Sequence, residues 1–365
     1  MLLVSLALAA AGAALSCSDQ SSPPTAPGNQ PSLARGGAQG PDLSAAIAAQ
    51  QRATDRLLAN EAVVGTAVGL TADGRPAVKI YTVRQGVGGL PSRLDGIAVE
   101  VKVTGEITAI GPTAAPAHPS RGKPPAPIVD PTGFFTRPVP IGVSTGNKND
   151  LLYYKRFCTS GTIGARLTDG TNHYALSNNH VYAVENLGQI GDPLIQPGQA
   201  DLGCAATNAD VIGNLTVVVP LLFGGKSSNT VDAAAGSVTT ADVGTATPSD
   251  GYGAPGSTVV AAALNQKVQK YGRTTGLTKA TVSGLNATLK VKYSRGVALF
   301  TNQIEIDGPS FSGAGDSGSL IVTDDAHNNP VGLLFAGSST TTFANPIGLV
   351  LQQLGAEVGK ALTVE

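Results

Sequence analysis

The segment Gly315-Asp316-Ser317-Gly318-Ser319 constrains the fold of this chain more than any other stretch. Two of its glycines flank an acid and a hydroxyl, and the apolar run Leu320-Ile321-Val322 follows directly. Because glycine adopts backbone angles that other residues avoid, such a loop can aim several N–H groups at one point and present a serine. An activated serine nucleophile beside an oxyanion hole needs this arrangement. The alternative interpretation is an ordinary turn before a buried strand.

A histidine and an acid upstream stand in contexts that suit the same chemistry. His180 follows an apolar run that ends in small polar residues, and Asp232 lies between an apolar residue and three alanines. The order His180, Asp232, Ser317 has gaps of 52 and 85 residues. The serine–histidine–aspartate triad of two-barrel folds has the same order, with gaps of about 45 and 93 residues. Other folds with this triad use different chain orders, so the pattern favours a two-barrel enzyme.

Other titratable residues compete for two of these roles. His173 lies beside a turn and is expected on a surface loop. Asp192, Asp201 and Asp210 compete with Asp232 as the orienting acid. Asp192 precedes a proline, Asp201 lies in a glycine-rich loop, and Asp210 comes only 30 residues after His180. No cluster of histidine, cysteine and acidic residues has the spacing of metal ligands, so neither a metal nor another cofactor is expected.

The segments Leu176–His180, Val231–Ala234 and Gly315–Ser319 resemble those of the chymotrypsin-like (trypsin-like) serine peptidases. The chain is most similar to a bacterial branch of that family related to the plant narrow-leaf proteins, over residues 138–356. This resemblance implies a mainly β fold of two six-stranded antiparallel β-barrels with a C-terminal helix. It also implies a serine endopeptidase whose partner is a protein or peptide substrate.

The resemblance assigns a role to each residue of the site. His180 becomes the general base, Asp232 orients it, and Ser317 attacks the peptide carbonyl. The N–H groups of Gly315 and Ser317 form the oxyanion hole. An esterase with the same triad and a non-catalytic binding protein on the same fold remain alternatives.

The same resemblance locates the substrate and a structural ion pair. Phe311, six residues before Ser317, corresponds to the base of the specificity pocket, which predicts small or apolar substrate side chains. Gly337 and Ser338 lie where such folds pair with the substrate backbone. In chymotrypsin the acid before the nucleophile pairs with a freed N-terminus, whereas the partner of Asp316 is left open here.

The N-terminus indicates export. Residues 1–17 form an apolar segment of signal-peptide length that ends in small residues. Cys17 resembles the lipidated cysteine of a bacterial lipoprotein, which would anchor the chain to a membrane; plain secretion and a buried apolar terminus are the alternatives. In an exported protein Cys158 and Cys204 are expected to form one disulfide, with two separate buried thiols as the alternative.

Composition shifts divide the rest of the chain. Residues 18–41 are rich in Ser, Pro, Gly and Gln and are expected to form a flexible tether. In residues 42–111, apolar residues first recur at helical spacing and then form short strand-like runs. This pattern predicts a small α+β domain, either a pro-domain or an accessory domain. The proline-rich residues 112–140 are predicted to be a linker, and residues 141–365 the peptidase domain.

Charge excludes one class of partner. The chain has 24 Lys and Arg against 25 Asp and Glu, and its formal net charge is −1. A nucleic-acid-binding surface needs clustered basic residues, so no nucleic-acid partner is expected. The sequence gives no indication of the oligomeric state.

Overall fold

The computed structural model describes residues 41–109, 129–225, 227–308 and 310–365. The predicted signal peptide, Cys17, almost all of the tether and much of the proline-rich linker lie outside the described residues. In the part of the chain that is described, no helix is both long and apolar enough to cross a membrane.

The first described segment forms one helix and five strands. The helix buries its alanine-rich face together with Leu57, since Ala46, Ala49 and Ala53 recur at helical spacing. The elements are α1 (Ser44–Leu58), β1 (Val63–Leu70), β2 (Pro76–Thr82), β3 (Arg93–Leu94), β4 (Ile97–Val103) and β5 (Ile107–Ala109).

The middle segment supplies most of the smaller sheet. Its elements are β6 (Ser144–Asn147), α2 (Asp150–Tyr154), β7 (Gly161–Thr162), β8 (Ala165–Thr168), β9 (His173–Ser177), α3 (Asn179–Tyr182), β10 (Pro193–Ile195), β11 (Val211–Val218), β12 (Ser228–Asn229) and β13 (Ala234–Val238). A turn at Asp169-Gly170 joins β8 to β9, and the hairpin leads into α3, which carries His180.

The last segment builds a closed barrel and completes the smaller sheet. Its elements are β14 (Lys267–Gly272), β15 (Gly276–Tyr293), β16 (Gly296–Asp307), β17 (Leu320–Thr323), β18 (Pro330–Gly337), β19 (Thr341–Pro346), α4 (Ile347–Val358) and β20 (Thr363–Val364). Hydrogen-bonded pairing runs β14-β15-β16-β19-β18-β17 and returns to β14, so these six strands close a ring. The smaller sheet has the order β20-β8-β9-β13-β11-β10-β6-β7.

The C-terminal helix α4 joins the two sheets. Its apolar face, which includes Ile347 and Leu354, shares one core with Leu176 of β9 and with Leu320 and Leu333 of β17 and β18. The fold is therefore mainly β with a C-terminal helix, and its curled sheets resemble the chymotrypsin-like double barrel. This confirms the predicted fold class.

The segment before the linker extends the barrel sheet. Strand β1 pairs with β15, with Gly65 opposite Leu289, and β2, β4 and β3 follow outward in the same sheet. Leu43, which precedes α1, and Ala46 within α1 lie in one core with residues of the barrel. The predicted helix and strands are present, but they do not form a separately packed sheet, because the 18-residue β15 offers a long surface for pairing. The domain boundaries themselves remain predictions.

A buried ion cluster fastens this extension to the barrel. The carboxylate of Glu305 on β16 is 0% exposed and accepts from Lys79 Nζ on β2 at 2.6 Å and from Lys102 Nζ on β4 at 2.8 Å. Burial opposes ionisation of Glu305, yet the two ammonium groups outweigh it and lower the pKa of the carboxyl. The cluster thus links β2 and β4 to a barrel strand by charge.

We expect Glu305→Gln to lower the free energy of unfolding by about 3 kcal/mol, because it leaves the buried Lys79 ammonium without a carboxylate and Lys102 with only the exposed Asp307. The control is Asp95→Asn, which removes the exposed partner of Arg52 and should cost less than about 1 kcal/mol. Urea unfolding of the full chain at pH 7 measures both. Equal losses for the two variants would contradict a structural role for the buried cluster.

Candidate active site

His180 is held against Asp232 by two contacts. It lies on the short helix α3 directly after β9 and is 5% exposed. Its Nδ1 lies 2.6 Å from Oδ2 of Asp232, and its backbone N–H donates to Oδ1 of the same carboxylate at 3.2 Å. The ring and the backbone of one residue therefore face one acid, which fixes the orientation of the imidazole.

Asp232 is fully buried and takes a third donor that the sequence did not reveal. The hydroxyl of Tyr293, at the end of β15, donates to Oδ2 at 2.8 Å. The Tyr293 ring packs edge-on against the His180 ring, with centroids 5.9 Å apart. Burial and the nearby Asp232 raise the pKa of Tyr293 well above its ordinary value, so the phenol stays a donor. No sequence pattern marks Tyr293 as part of the site, because its contact with Asp232 depends on the packing of β15.

The loop that carries Ser317 needs its glycines. Gly315 and Gly318 have φ of 100° and 94°, in the left-handed region that side chains rarely adopt. A Cβ at Gly318 would also lie 2.3 Å from Oγ of Ser177 at the end of β9. The loop therefore rests directly on the strand that leads to His180.

Strand β7 separates Ser317 from α3. A Cβ at Gly161 would lie 2.5 Å from a methyl of Val181 and 3.1 Å from the carbonyl oxygen of Ser317. The Ser317 carbonyl accepts from the N–H of Thr162 at 2.8 Å. Gly161 is thus in contact with the neighbour of His180 on one side and with Ser317 on the other.

The second ring nitrogen of His180 is buried and has no hydrogen-bond partner among the residues that the structure describes. A hydrogen bond between Nε2 and Ser317 is therefore not formed here. Catalytic hydrogen bonds are often long in structures without substrate and tighten when substrate binds. The structure brings His180 and Asp232 into contact and places the Ser317 loop beside them.

A cavity of about 410 Å³ opens beside His180. Its walls are mainly aromatic and apolar, and Glu185 and Lys292 add one charge of each sign. The aromatic residues are Tyr154, Phe157 and Tyr293, of which the first two stack with ring centroids 4.5 Å apart. Such a cavity suits a substrate side chain or backbone beside the imidazole.

The edge predicted to pair with a substrate is occupied by the chain itself. Strand β5 runs antiparallel to β18, with Thr108 opposite Gly337 and Ala109 opposite Ala336. Thr108 and Ala109 also line the cavity beside His180. The N–H of Ser338 donates to Thr341 inside the turn between β18 and β19. Gly337 is thus paired with an internal strand, and a role for Gly337 and Ser338 in substrate binding stays a prediction.

Phe311 lies in the core and does not line the cavity beside His180. It is 1% exposed and packs among the apolar residues between α1 and the barrel. Its carbonyl accepts from the Thr278 hydroxyl at 2.7 Å. A role for Phe311 at the base of a specificity pocket stays a prediction.

The competing residues have other partners. His173 Nδ1 lies 2.8 Å from a carboxylate oxygen of Glu365, Asp192 accepts from Tyr153 and two asparagines, and Asp201 pairs with Arg273. Asp210 caps a short helix through Thr207. No group of three or more histidine, cysteine or acidic residues in the described ranges could hold a metal ion.

Cys158 and Cys204, which are 46 positions apart in sequence, form a disulfide, as predicted. The neighbours of Cys158 on both sides, Phe157 and Thr159, line the cavity. The bridge therefore fixes one wall of the cavity to the segment that follows β10.

Comparisons with known proteins give limited similarity. The Nal1 C-terminal domain family matches residues 249–345. No curated protein matches the chain. Among solved structures, a glutamic acid specific serine protease is 19% identical with a TM-score of 0.41, covering 62% of this chain and 100% of its own.

Two further solved structures are a bacterial protease and a bacterial chymotrypsin. Thermobifida fusca protease A is 20% identical with a TM-score of 0.39, covering 56% of this chain and 92% of its own. A Cellulomonas bogoriensis chymotrypsin is 19% identical with a TM-score of 0.36, covering 56% of this chain and 90% of its own. These structure neighbours are chymotrypsin-like serine proteases at low sequence identity.

Replacing both cysteines, Cys158→Ala with Cys204→Ala, should lower the free energy of unfolding by about 4 kcal/mol, from the chain entropy of a closed loop of this length. Denaturant unfolding under oxidising conditions measures the loss. Adding a reductant should bring the parent protein towards the double variant and leave the double variant unchanged. A parent protein that is insensitive to reductant would contradict a stabilising disulfide.

Proposed function

We propose that this protein is a serine endopeptidase that works through an acyl-enzyme intermediate. The observation that carries the proposal is the buried pair of His180 and Asp232, which lies across β7 from the glycine-framed loop of Ser317. A histidine oriented by an acid next to an activated serine is the arrangement that peptide hydrolysis needs.

The first half of the reaction breaks the peptide bond. Oγ of Ser317 attacks the carbonyl carbon while Nε2 of His180 takes the hydroxyl proton, and Asp232 keeps Nδ1–H oriented and stabilises the imidazolium. The N–H groups of Gly315 and Ser317 are proposed to bind the oxyanion. The C–N bond then breaks, and Nε2 returns the proton to the departing amine.

The second half releases the acid product. Water enters after the amine has left, gives a proton to Nε2 and attacks the acyl carbon bound to Ser317. Collapse of this second tetrahedral intermediate returns the proton to Oγ. The hydroxyl of Tyr293 contributes by holding Asp232 throughout both halves, since it donates to the oxygen that faces His180.

We also propose that the protein acts outside the cytoplasm, as a member of a bacterial branch related to the plant narrow-leaf proteins. The disulfide supports export, because such bonds persist in oxidising compartments. The match of residues 249–345 to the Nal1 C-terminal domain supports the branch. The lipid on Cys17 remains a prediction from the sequence.

A fluorophosphonate probe tests the nucleophile. The full-length protein should become labelled on Ser317, and Ser317→Ala should abolish labelling. The matched control is Ser312→Ala, in the same glycine-rich segment, whose hydroxyl contacts Thr342 and which should label like the parent. Mass spectrometry of the labelled peptide identifies the modified residue.

The outcomes separate the proposal from its alternatives. Labelling with turnover of ester substrates but no peptide cleavage would favour an esterase. A folded parent that does not label would favour a non-catalytic binding protein or a covered site.

A covered site has a structural basis in strand β5. We propose that β5 covers the substrate edge and that residues 42–109 therefore act as an intramolecular pro-segment. Thr108 and Ala109 pair with the strand that an extended substrate would use and line the cavity beside His180. A substrate must displace them, so the apparent affinity equals the intrinsic affinity multiplied by the fraction of molecules in which the edge is open.

Thr108→Pro should raise the labelling rate of Ser317 roughly tenfold or more, because proline removes an N–H and disfavours pairing within a sheet. Thr108→Val is the matched control, since it keeps the backbone donor and the shape of the side chain. Rates are compared at equal protein concentration by quenched time courses. A slower rate in the proline variant, with an unchanged melting temperature, would argue that β5 builds the site instead of covering it.

A further inference from the structure

A fully buried lysine lies directly behind the Ser317 loop. Lys270 on β14 has a side chain that is 0% exposed, and its Nζ lies 3.4 Å from Oδ2 of Asp316, which is also 0% exposed. The ammonium donates to the carbonyl of Gly276 at 3.0 Å and to the hydroxyl of Thr275. Lysine is almost never fully buried unless it is paired, so this position has a specific cause.

Asp316 connects two loops through its carboxylate. Oδ1 accepts from the N–H of Thr274 at 2.8 Å and of Thr275 at 3.2 Å. Oδ2 accepts from the Thr275 hydroxyl at 2.6 Å and from the N–H of Gly313 at 2.8 Å. Because Asp316 directly precedes Ser317, these bonds fix the backbone of the nucleophile to the turn between β14 and β15.

We propose that Lys270 is a positioning residue that holds the Gly315–Ser317 loop in its active form through Asp316, an inference that rests on the proposed peptidase function. Its ammonium supplies inside the barrel the positive charge that chymotrypsin takes from a freed N-terminus. The loop is then assembled whether or not the chain is cleaved upstream. Only access to the site depends on β5.

The pair makes the loop sensitive to alkali. Burial lowers the pKa of Lys270, an effect that Asp316 partly offsets. Loss of the ammonium proton on the alkaline side would leave the buried Asp316 carboxylate without a counter-charge. Other charged groups near β14 are occupied: Arg273 pairs with Asp201, and Lys279 pairs with Asp324.

The test compares Lys270→Met, Lys270→Arg and the control Lys267→Arg, which alters the exposed lysine at the start of the same strand. Fluorophosphonate labelling of the full chain is followed from pH 6 to pH 10.5, with circular dichroism at each pH. Lys270→Met should label roughly 100-fold more slowly than the parent, the scale of losing an oxyanion-hole donor. Lys270→Arg should label within tenfold of the parent, with its alkaline limb moved upward by about one pH unit or more, since guanidinium does not titrate.

Two results would overturn the proposal: a folded Lys270→Met that labels like the parent, or an alkaline limb that Lys270→Arg leaves in place. If Lys270→Met does not fold, the variant Lys270→Met with Asp316→Asn removes both charges and should fold yet label equally slowly. Labelling of that variant at the parent rate would also reject the role.

Failure of the proposed function, or a site that β5 keeps covered, gives a different signature, in which the parent itself does not label. Hydrogen exchange of residues 311–319, corrected for intrinsic rates and referenced to residues 211–218, then decides. Protection of this segment should be lost at alkaline pH in the parent and retained in Lys270→Arg. Equal loss in both proteins would reject the role of Lys270 independently of catalysis.

Discussion

The carboxylate of Asp232 is the buried charge on which the contact between the two sheets depends. It precedes β13 of the smaller sheet, yet its donors include Tyr293 from the barrel, and its own N–H donates to Asn345 of β19 at 3.0 Å. A charge inside a protein is tolerated only when hydrogen bonds surround it. The two sheets must therefore meet in one register for this charge to be satisfied, and that register places His180 at the junction.

A second buried carboxylate organises the other half of the site in the same way. Asp316 gathers donors from two loops and from Lys270, so the chain on either side of Ser317 has little freedom. The imidazole of His180 and the Ser317 loop are thus oriented by separate acids, each fully buried. The glycine at 161 keeps the two parts close, since any side chain there would enter Val181.

The strongest sequence signals were local, and the missing features are those that depend on distant pairing. Local patterns predicted a helix followed by short strands before the linker, and the order of His180 and Asp232 anticipated their contact. Nothing in the alternation of β15 distinguishes Tyr293 as a donor to Asp232, because its partner lies 61 residues away. The pairing of β1 with the barrel strand β15 was not predicted for the same reason, since the two strands are far apart in sequence.

The burial of residues near Ser317 could not be predicted from residue type alone. Counting back from Ser317 assigned Phe311 to the base of a specificity pocket; its ring lies in the core, and that role stays a prediction. The burial of Lys270 beside Asp316 becomes visible only when β14 and the Ser317 loop are packed together.

Strand β5 is bonded on both of its sides. It runs parallel to β15, with Ile107 opposite Val291, and antiparallel to β18, with Thr108 opposite Gly337. A peptide that took the place of β5 would therefore lie between two strands instead of adding to a free sheet edge. Both of its backbone edges would form hydrogen bonds. Because one neighbouring strand is parallel and the other antiparallel, a peptide bound in either direction would meet one strand of each kind. Proline lacks the N–H that strand pairing uses, so this position would favour an extended peptide without proline, whatever its side chains.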